Sequence, residues 1–365
     1  MKYWQSLLEN GYSSIEDLHN ARPFPSENLD LLNQIQNRFP VHVNPYYYSL
    51  IKHSDPDDPI YKMCIPSVFE ANRTGSFDTS GERSNTVMKG VQHKYPDTLL
   101  ILSTDRCAMY CRHCFRKRLV GLSEPETDFC SGIEEIIAYI NKHKEINNVL
   151  ISGGDAFLNT NTVISQYLKH LTRIPHLDFI RFGTRTPVVL PQRITSDSEL
   201  VNILEKYSGL KHIYIVTQFN HPNEITYESI AAIKTLQRKD IFIRNQTVLL
   251  KGVNDSGSVL GDLLRKLTAI GVDPYYIFQC RPVTGVKDHF QVPLKRGASI
   301  VQDAVRNQNG FGKSCRYMLS HEKGKIEIVG QVSEDLMCFK FHRAKNRENV
   351  GRVFVKSVTD SQCWL

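Results

Sequence analysis

The sequence predicts an α/β protein, built as a partial (β/α)6 barrel of the TIM type over residues 96–308. A mostly helical, partly irregular cap over 1–95 precedes it and a β-rich extension over 309–365 follows. Three observations predict this. Six short apolar runs recur from residue 98 onward, segments with a 3.6-residue apolar period separate them, and strands joined through helices pair in parallel. At 365 residues, with 41% apolar and 23% charged side chains, the chain can bury a sizeable core and has the balance of an ordinary globular protein.

Taken in order, "ENLDLLNQIQNRF" reads as a cap helix, while "HSDPDDPI" and "RTGSFDTSGERS" read as turns or loop. The strand runs are "TLLILS", "NNVLIS", "LDFIRFG", "KHIYIVTQF", "DIFIRNQTVLL" and "DPYYIFQC". Between them, "GIEEIIAYINKHKE", "TVISQYLKHLTRI", "SELVNILEKYSG", "YESIAAIKTLQRK" and "SVLGDLLRKLTAIG" carry the helical period. "SCRYMLSHEKGKIEIVGQV" reads as a hairpin turning at "HEKGK". No apolar run approaches a membrane span and the N-terminus has no signal-type apolar core, so a cytoplasmic protein without membrane or nucleic-acid partners is expected. The net charge of +7 is modest; much of it sits in "KFHRAKNRENVGRVFVK", whose simplest reading is a solvated face.

In "TDRCAMYCRHCFRKR", Cys107, Cys111 and Cys114 stand at C-x3-C-x2-C in the loop after the first strand, where barrel enzymes keep their chemistry. The other six cysteines, Cys64, Cys130, Cys280, Cys315, Cys338 and Cys363, are scattered without pairing rhythm. A closed zinc site wants four ligands, whereas a [4Fe–4S] cube on three thiolates keeps one iron open. After the second strand comes "ISGGD", Ser152 to Asp155, whose glycines allow close backbone approach and whose carboxylate can pair with an ammonium.

The cysteine spacing, with Tyr110 before Cys111, resembles the signature of radical S-adenosylmethionine (SAM) enzymes. "YCRHCFRKR", "ISGGDAFL", "RTPVVLPQRIT", "FNHPNEIT", "NQTVLLKGVND" and "PYYIFQC", in this order, resemble the lysine 2,3-aminomutase family, and the likeness spans residues 40–300. The resemblance implies a [4Fe–4S] cluster, SAM held by Ser152, Gly153, Gly154, Asp155 and Gln246, and pyridoxal phosphate (PLP) carried by a lysine. Lys325 is the natural match for that lysine and Lys323 the fallback. It further implies that Arg116 grips the substrate carboxylate, that a flavodoxin or ferredoxin supplies electrons, and that a homo-oligomer is compatible with the fold.

Four departures stand against the pattern. Lys94 and Thr98 occupy the places of two arginines that hold the PLP phosphate in the family. Only Gly324 remains of its glycine-rich turn. Arg281 replaces an aspartate that holds the distal ammonium of lysine, and Ser320 and His321 are nearest to the second such aspartate. Ser256 replaces a zinc-ligating cysteine, so no zinc is expected. Arg281 argues against lysine as substrate and for a small amino acid with an acidic or other anionic side chain, since like charges repel strongly in a dry site. The expected activity is a PLP-dependent 2,3-aminomutase on such a substrate, with Lys325, Arg116 and Arg281 as its reactive and gripping groups. Alternatives are a PLP-independent radical reaction (elimination, dehydrogenation, cyclisation or epimerisation), modification of a lysine on a protein, or a metal-binding protein without turnover. Phe115 and Phe278 are expected only to pack.

Overall fold

The computed structural model describes residues 2–53, 57–120, 129 and 132–365; Cys130, and Asp55 and Pro56 of the expected turn, lie outside them. Among the described residues twelve strands form one sheet in chain order, a mixed α/β fold. The six apolar runs supply β3 (Thr98–Thr104), β4 (Asn148–Gly153), β5 (Phe179–Gly183), β6 (His212–Thr217), β7 (Phe242–Leu249) and β8 (Asp273–Gln279), each parallel to the next. Helices Ile133–Lys142, Asn161–Leu171, Ser198–Ser208, Tyr227–Gln237 and Gly257–Ala269 fill the crossovers. Thr160, Asp197, Thr226 and Ser256 start four of them by accepting hydrogen bonds from first-turn N–H groups. Ser256, standing where a zinc-ligating cysteine would be, thus has a capping role.

The sheet extends past both ends of the expected barrel. β1 (Thr86–Met88) and β2 (Val91–Tyr95) form an antiparallel pair leading into β3, inside the segment read as cap. They are short and polar, so their alternation is faint. Beyond β8, β9 (Arg316–His321) joins in parallel, and β10 (Gly324–Gln331), β11 (Leu336–Ala344) and β12 (Val353–Ser357) follow as an antiparallel meander. The β9–β10 turn falls at Glu322 and Lys323, within "HEKGK".

Alternation sorts the side chains of each strand. Leu99 and Ile101 of β3 join the main core, whereas Leu102 turns the other way and meets Leu119 and Phe129. Register carries this second face across the sheet: Leu102 lies beside Ser152, Leu100 beside Leu150 and then Arg181, and Gly183 beside Val216 and then Arg244. Gln246 follows Arg244 on the same face and pairs with Tyr276. The sheet curls far enough for β11 to reach the start of β3, where Arg343 bonds to Asp97 and, at 3.0 Å, to Thr98 Oγ1. No helix among the described residues is long and apolar enough to cross a membrane.

Candidate active site

The glycines of "ISGGD" lock its loop against the backbone that leads into the cysteines. Gly154 N donates to Thr104 O at 2.6 Å and Asp155 N to Arg106 O at 2.8 Å. A Cβ on Gly154 would run into the Arg106 carbonyl oxygen and sit 2.8 Å from the carbonyl carbon of Asp105; Gly153 has φ +117° and is closed in by Thr104. Gly154→Ala should therefore cost about 1–3 kcal/mol, by overpacking against backbone that cannot swing away. Thermal unfolding together with iron content after reconstitution checks this, and an alanine variant as stable and as iron-rich as wild type would count against it.

Asp155 is turned inward. Its Oδ1 accepts from Phe157 N (3.0 Å) and Thr184 Oγ1 (2.5 Å), and its Oδ2 from Arg185 N (2.7 Å). Burial pushes its pKa up, and these bonds oppose the rise. The carboxylate thus braces the loop that carries Arg185, whose guanidinium donates to Cys111 Sγ at 2.9 Å, to Glu224 Oε1 at 2.5 Å and to Gln218 O at 2.9 Å. Arg185 lies in the quoted "RTPVVLPQRIT", yet nothing in its sequence context announces a contact with a cysteine 74 residues away.

The three cysteines are unpaired and part-buried. Burial pushes the Cys107 thiol up, with Asp155, Cys114 and Cys111 adding to it, and burial with Cys111 lifts Cys114 to about 11. Cys111 is thus close enough to Cys107 and Cys114 to disfavour their ionisation. Three neighbouring thiols on one loop suit a multi-iron cube, in which each thiolate would bind its own iron.

The loop is anchored from behind by Glu70 of the cap. This fully buried carboxylate accepts from Arg112 Nε at 2.8 Å and Nη2 at 2.6 Å, and from Lys117 Nζ. Burial would raise its pKa, but Arg112 and Lys117 together hold it down at about 2. Glu70→Ala should destabilise the protein by about 3–5 kcal/mol, because two buried cations lose their shared partner. Anaerobic urea denaturation would register this as a lower midpoint; an unchanged midpoint would show that the cap does not anchor the loop.

A second cluster lies on the other side of Ser152. Arg116 Nη1 donates to Ser152 Oγ (3.1 Å) and Gly153 O (3.4 Å), and its Nε lies 3.9 Å from Glu82 Oε1. The Phe115 ring carries two guanidiniums, Arg116 with Cζ 4.6 Å from the centroid and Arg281 at 4.0 Å. Arg281 Nη2 donates to Ser320 Oγ at 2.9 Å. Burial lowers the Arg281 pKa to about 10, Glu82 opposing and Arg116 adding to the fall. Phe115 is more than packing here, since it sets the spacing of two cations.

Ser320 faces Lys325 across β9 and β10, and Lys325 faces Arg343 across β10 and β11. The Lys325 amine lies over the rings of Tyr276 (4.6 Å) and Phe278 (5.4 Å), whereas Lys323 is exposed on the turn. Burial drives the Lys325 pKa far below that of a free lysine, and Arg343, Arg181, Arg281 and Lys94 drive it the same way. Gly324 is required beside it, because a Cβ there would strike the Arg343 carbonyl oxygen. Lys94 is otherwise engaged: its amine donates to Ser80 O (3.0 Å) and His321 O (2.6 Å), stapling the "DTSGERS" loop to the β9–β10 turn. Gln246 sits half-buried on the sheet face that carries Arg244.

Comparison with known proteins gives the family of the chain. Residues 97–206 match the family model of a 4Fe-4S single cluster domain. The chain is 39% identical over 310 residues to the L-lysine 2,3-aminomutase of Clostridium subterminale, covering 84% of this chain and 73% of that protein. It is 38% identical over 335 residues to the L-lysine 2,3-aminomutase of Methanococcus maripaludis (89% and 75%), and 38% identical over 300 residues to the glutamate 2,3-aminomutase of Clostridioides difficile (82% and 69%). The chain belongs to the lysine 2,3-aminomutase family of radical SAM enzymes. As a family member it is a radical SAM enzyme, and its cofactors are a [4Fe–4S] cluster and SAM. Within that family frame, the structure links Arg116 to Ser152, Arg281 to Ser320, and Lys325 electrostatically to Arg281 and Lys94, with Arg116 also beside Cys114. Glu82, Arg181, Arg185 and Arg343 join them without having been singled out by spacing or motif.

Proposed function

We propose that this enzyme is a PLP-dependent 2,3-aminomutase acting on an amino acid with an anionic side chain. Its curled sheet is read as the six-strand partial barrel of radical SAM enzymes. The observation that carries the proposal is Lys325, a half-buried lysine whose amine lies over two aromatic rings and whose pKa is pushed down by burial and by Arg343, Arg181, Arg281 and Lys94. A lysine of lowered pKa gives up its proton more readily and so suits the nucleophile that bonds an aldehyde cofactor, and nearby cations suit a phosphate and carboxylates. When bound, the cluster with SAM supplies a hydrogen-abstracting radical, and PLP the conjugated system that makes nitrogen migration accessible.

Cys107, Cys111 and Cys114 hold the cluster. Ser152, Gly153, Gly154 and Gln246 offer the wall for SAM, with Asp155 acting through the loop it braces. Arg116, already presenting donors beside Ser152, takes the substrate α-carboxylate. Arg281, fixed by Ser320 and Phe115, takes a side-chain carboxylate. The two guanidiniums on one ring suit the two ends of a diacid, and a relative with a glutamate activity lies within the same range of identity. An electron donor such as a flavodoxin or ferredoxin reduces the cluster.

The test is an anaerobic absorbance spectrum of the reconstituted protein before and after borohydride, with peptide mapping. The expected result is a pyridoxyl label on Lys325. An iron–sulfur spectrum without a labelled lysine would instead assign the scaffold to a PLP-free radical reaction.

A further inference from the structure

The start of β3 lacks an arginine, and the structure puts one back from elsewhere. Thr98 opens β3, yet a guanidinium rests on its hydroxyl: that of Arg343, which lies on β11 and reaches across the curl of the sheet. Asp97 holds this guanidinium by Nη2, and the Tyr95 ring lies under it with Cζ 4.2 Å from the centroid. A guanidinium has five N–H donors in a planar fork, so Asp97 and Thr98 leave part of the fork free.

A second guanidinium points to the same place. Arg181 extends from β5 beside Asn148, to whose Oδ1 its Nη2 donates at 2.5 Å, and Asn148 in turn bonds to Thr98. Arg343 is near enough to add to the fall of the Arg181 pKa, which burial leads, and both act on the Lys325 amine. Two donors in this corner, Arg181 Nε and the Tyr95 hydroxyl, are buried without a hydrogen-bond partner. Buried donors without acceptors, among mutually repelling cations, describe a site built for a polyanion. Lys94 is a poor alternative, because Ser80 O and His321 O already take two of its three donors.

We propose that Arg343, with Arg181, grips the phosphate of the PLP bonded to Lys325, in place of the arginine absent at Thr98. The inference rests on the PLP reading above. The basic segment "KFHRAKNRENVGRVFVK" then has an inward task at one residue, while its other cations stay on the surface. Arg343 is a binding residue for the phosphate; its charge also helps to lower the Lys325 pKa, an effect that PLP and pyridoxal share.

The experiment compares PLP with pyridoxal, which has the aldehyde but no phosphate, as ligands of the reconstituted full-length protein. Binding is followed by cofactor absorbance and by borohydride trapping on Lys325. Wild type should bind PLP far more tightly than pyridoxal. Arg343→Ala should weaken PLP by about 10- to 100-fold more than it weakens pyridoxal, as expected for one lost charge-assisted pair. Thr98→Arg in the Arg343→Ala background should restore PLP binding, which a merely unfolded variant would not allow. If Arg343→Ala lowers PLP and pyridoxal equally, or neither, the phosphate assignment is overturned while the PLP reading stands. If wild type takes up neither compound, both fall together.

Discussion

Lys325→Ala is expected to abolish PLP retention and lower turnover by about three orders of magnitude or more, while leaving the cluster and the reductive cleavage of SAM in place. The separation follows from the layout. Lys325 stands on β10 over Tyr276 and Phe278, whereas the cluster loop follows β3 and is held by Glu70, Arg185 and the "ISGGD" backbone. Truncating Lys325 to alanine removes an amine and three methylenes and touches no bond of that loop. The measurement pairs the PLP absorbance with the yield of 5′-deoxyadenosine under a strong reductant. A variant that keeps full PLP absorbance and turnover would show that Lys325 is only a buried charge. The depressed pKa adds a pH dependence. A lysine whose folded pKa lies below its unfolded value binds fewer protons folded than unfolded in between, so the cofactor-free protein gains stability as pH rises through that interval.

Arg281→Asp combined with Ser320→Asp should reverse the charge preference at the distal end of the substrate. Turnover of an amino acid with a side-chain carboxylate should fall by about 30- to 1,000-fold in kcat/KM, the range for losing one partner of a buried charge pair. Lysine should be accepted instead. The two positions act together because Arg281 Nη2 and Ser320 Oγ are already in contact, so a carboxylate at 320 beside an unchanged Arg281 would only neutralise it. Arg281→Gln serves as the intermediate case, weakening the acidic substrate without inviting lysine. A double variant still preferring the acidic substrate would refute the role of Arg281.

The strands and crossover helices were legible because their signals are local. An apolar run of six residues bounded by turns, or an apolar stripe with a 3.6-residue period, does not depend on what lies 200 residues away. The cysteine spacing is local as well. Arg343 illustrates what is not. Read along the chain it is one of many cations in a polar tail, and only the curl of the sheet brings β11 to Thr98. Lys94 and Asp155 show the opposite case: both carry a charge at a suggestive position, and only the structure shows that Lys94 donates to two carbonyls and Asp155 accepts from three internal donors. A side chain's type shows what it can bind, but its neighbours decide what it has left to offer. Glu70 needed Arg112 and Lys117 to be intelligible, and all three stand within motifs or loops whose sequence reads as ordinary.

The closing of the sheet by its last strands has a consequence for the order in which the molecule is made. The thiols lie within eight residues of one another, so little chain need be ordered to bring them together. Other contacts join Lys94 to the β9–β10 turn and Thr98 to Arg343, across more than two hundred residues, and such contacts form late because distant segments must first meet. During synthesis the ribosome has therefore released the whole cluster loop well before the strand bearing Arg343 exists, and the corner at Thr98 is completed only when β11 arrives.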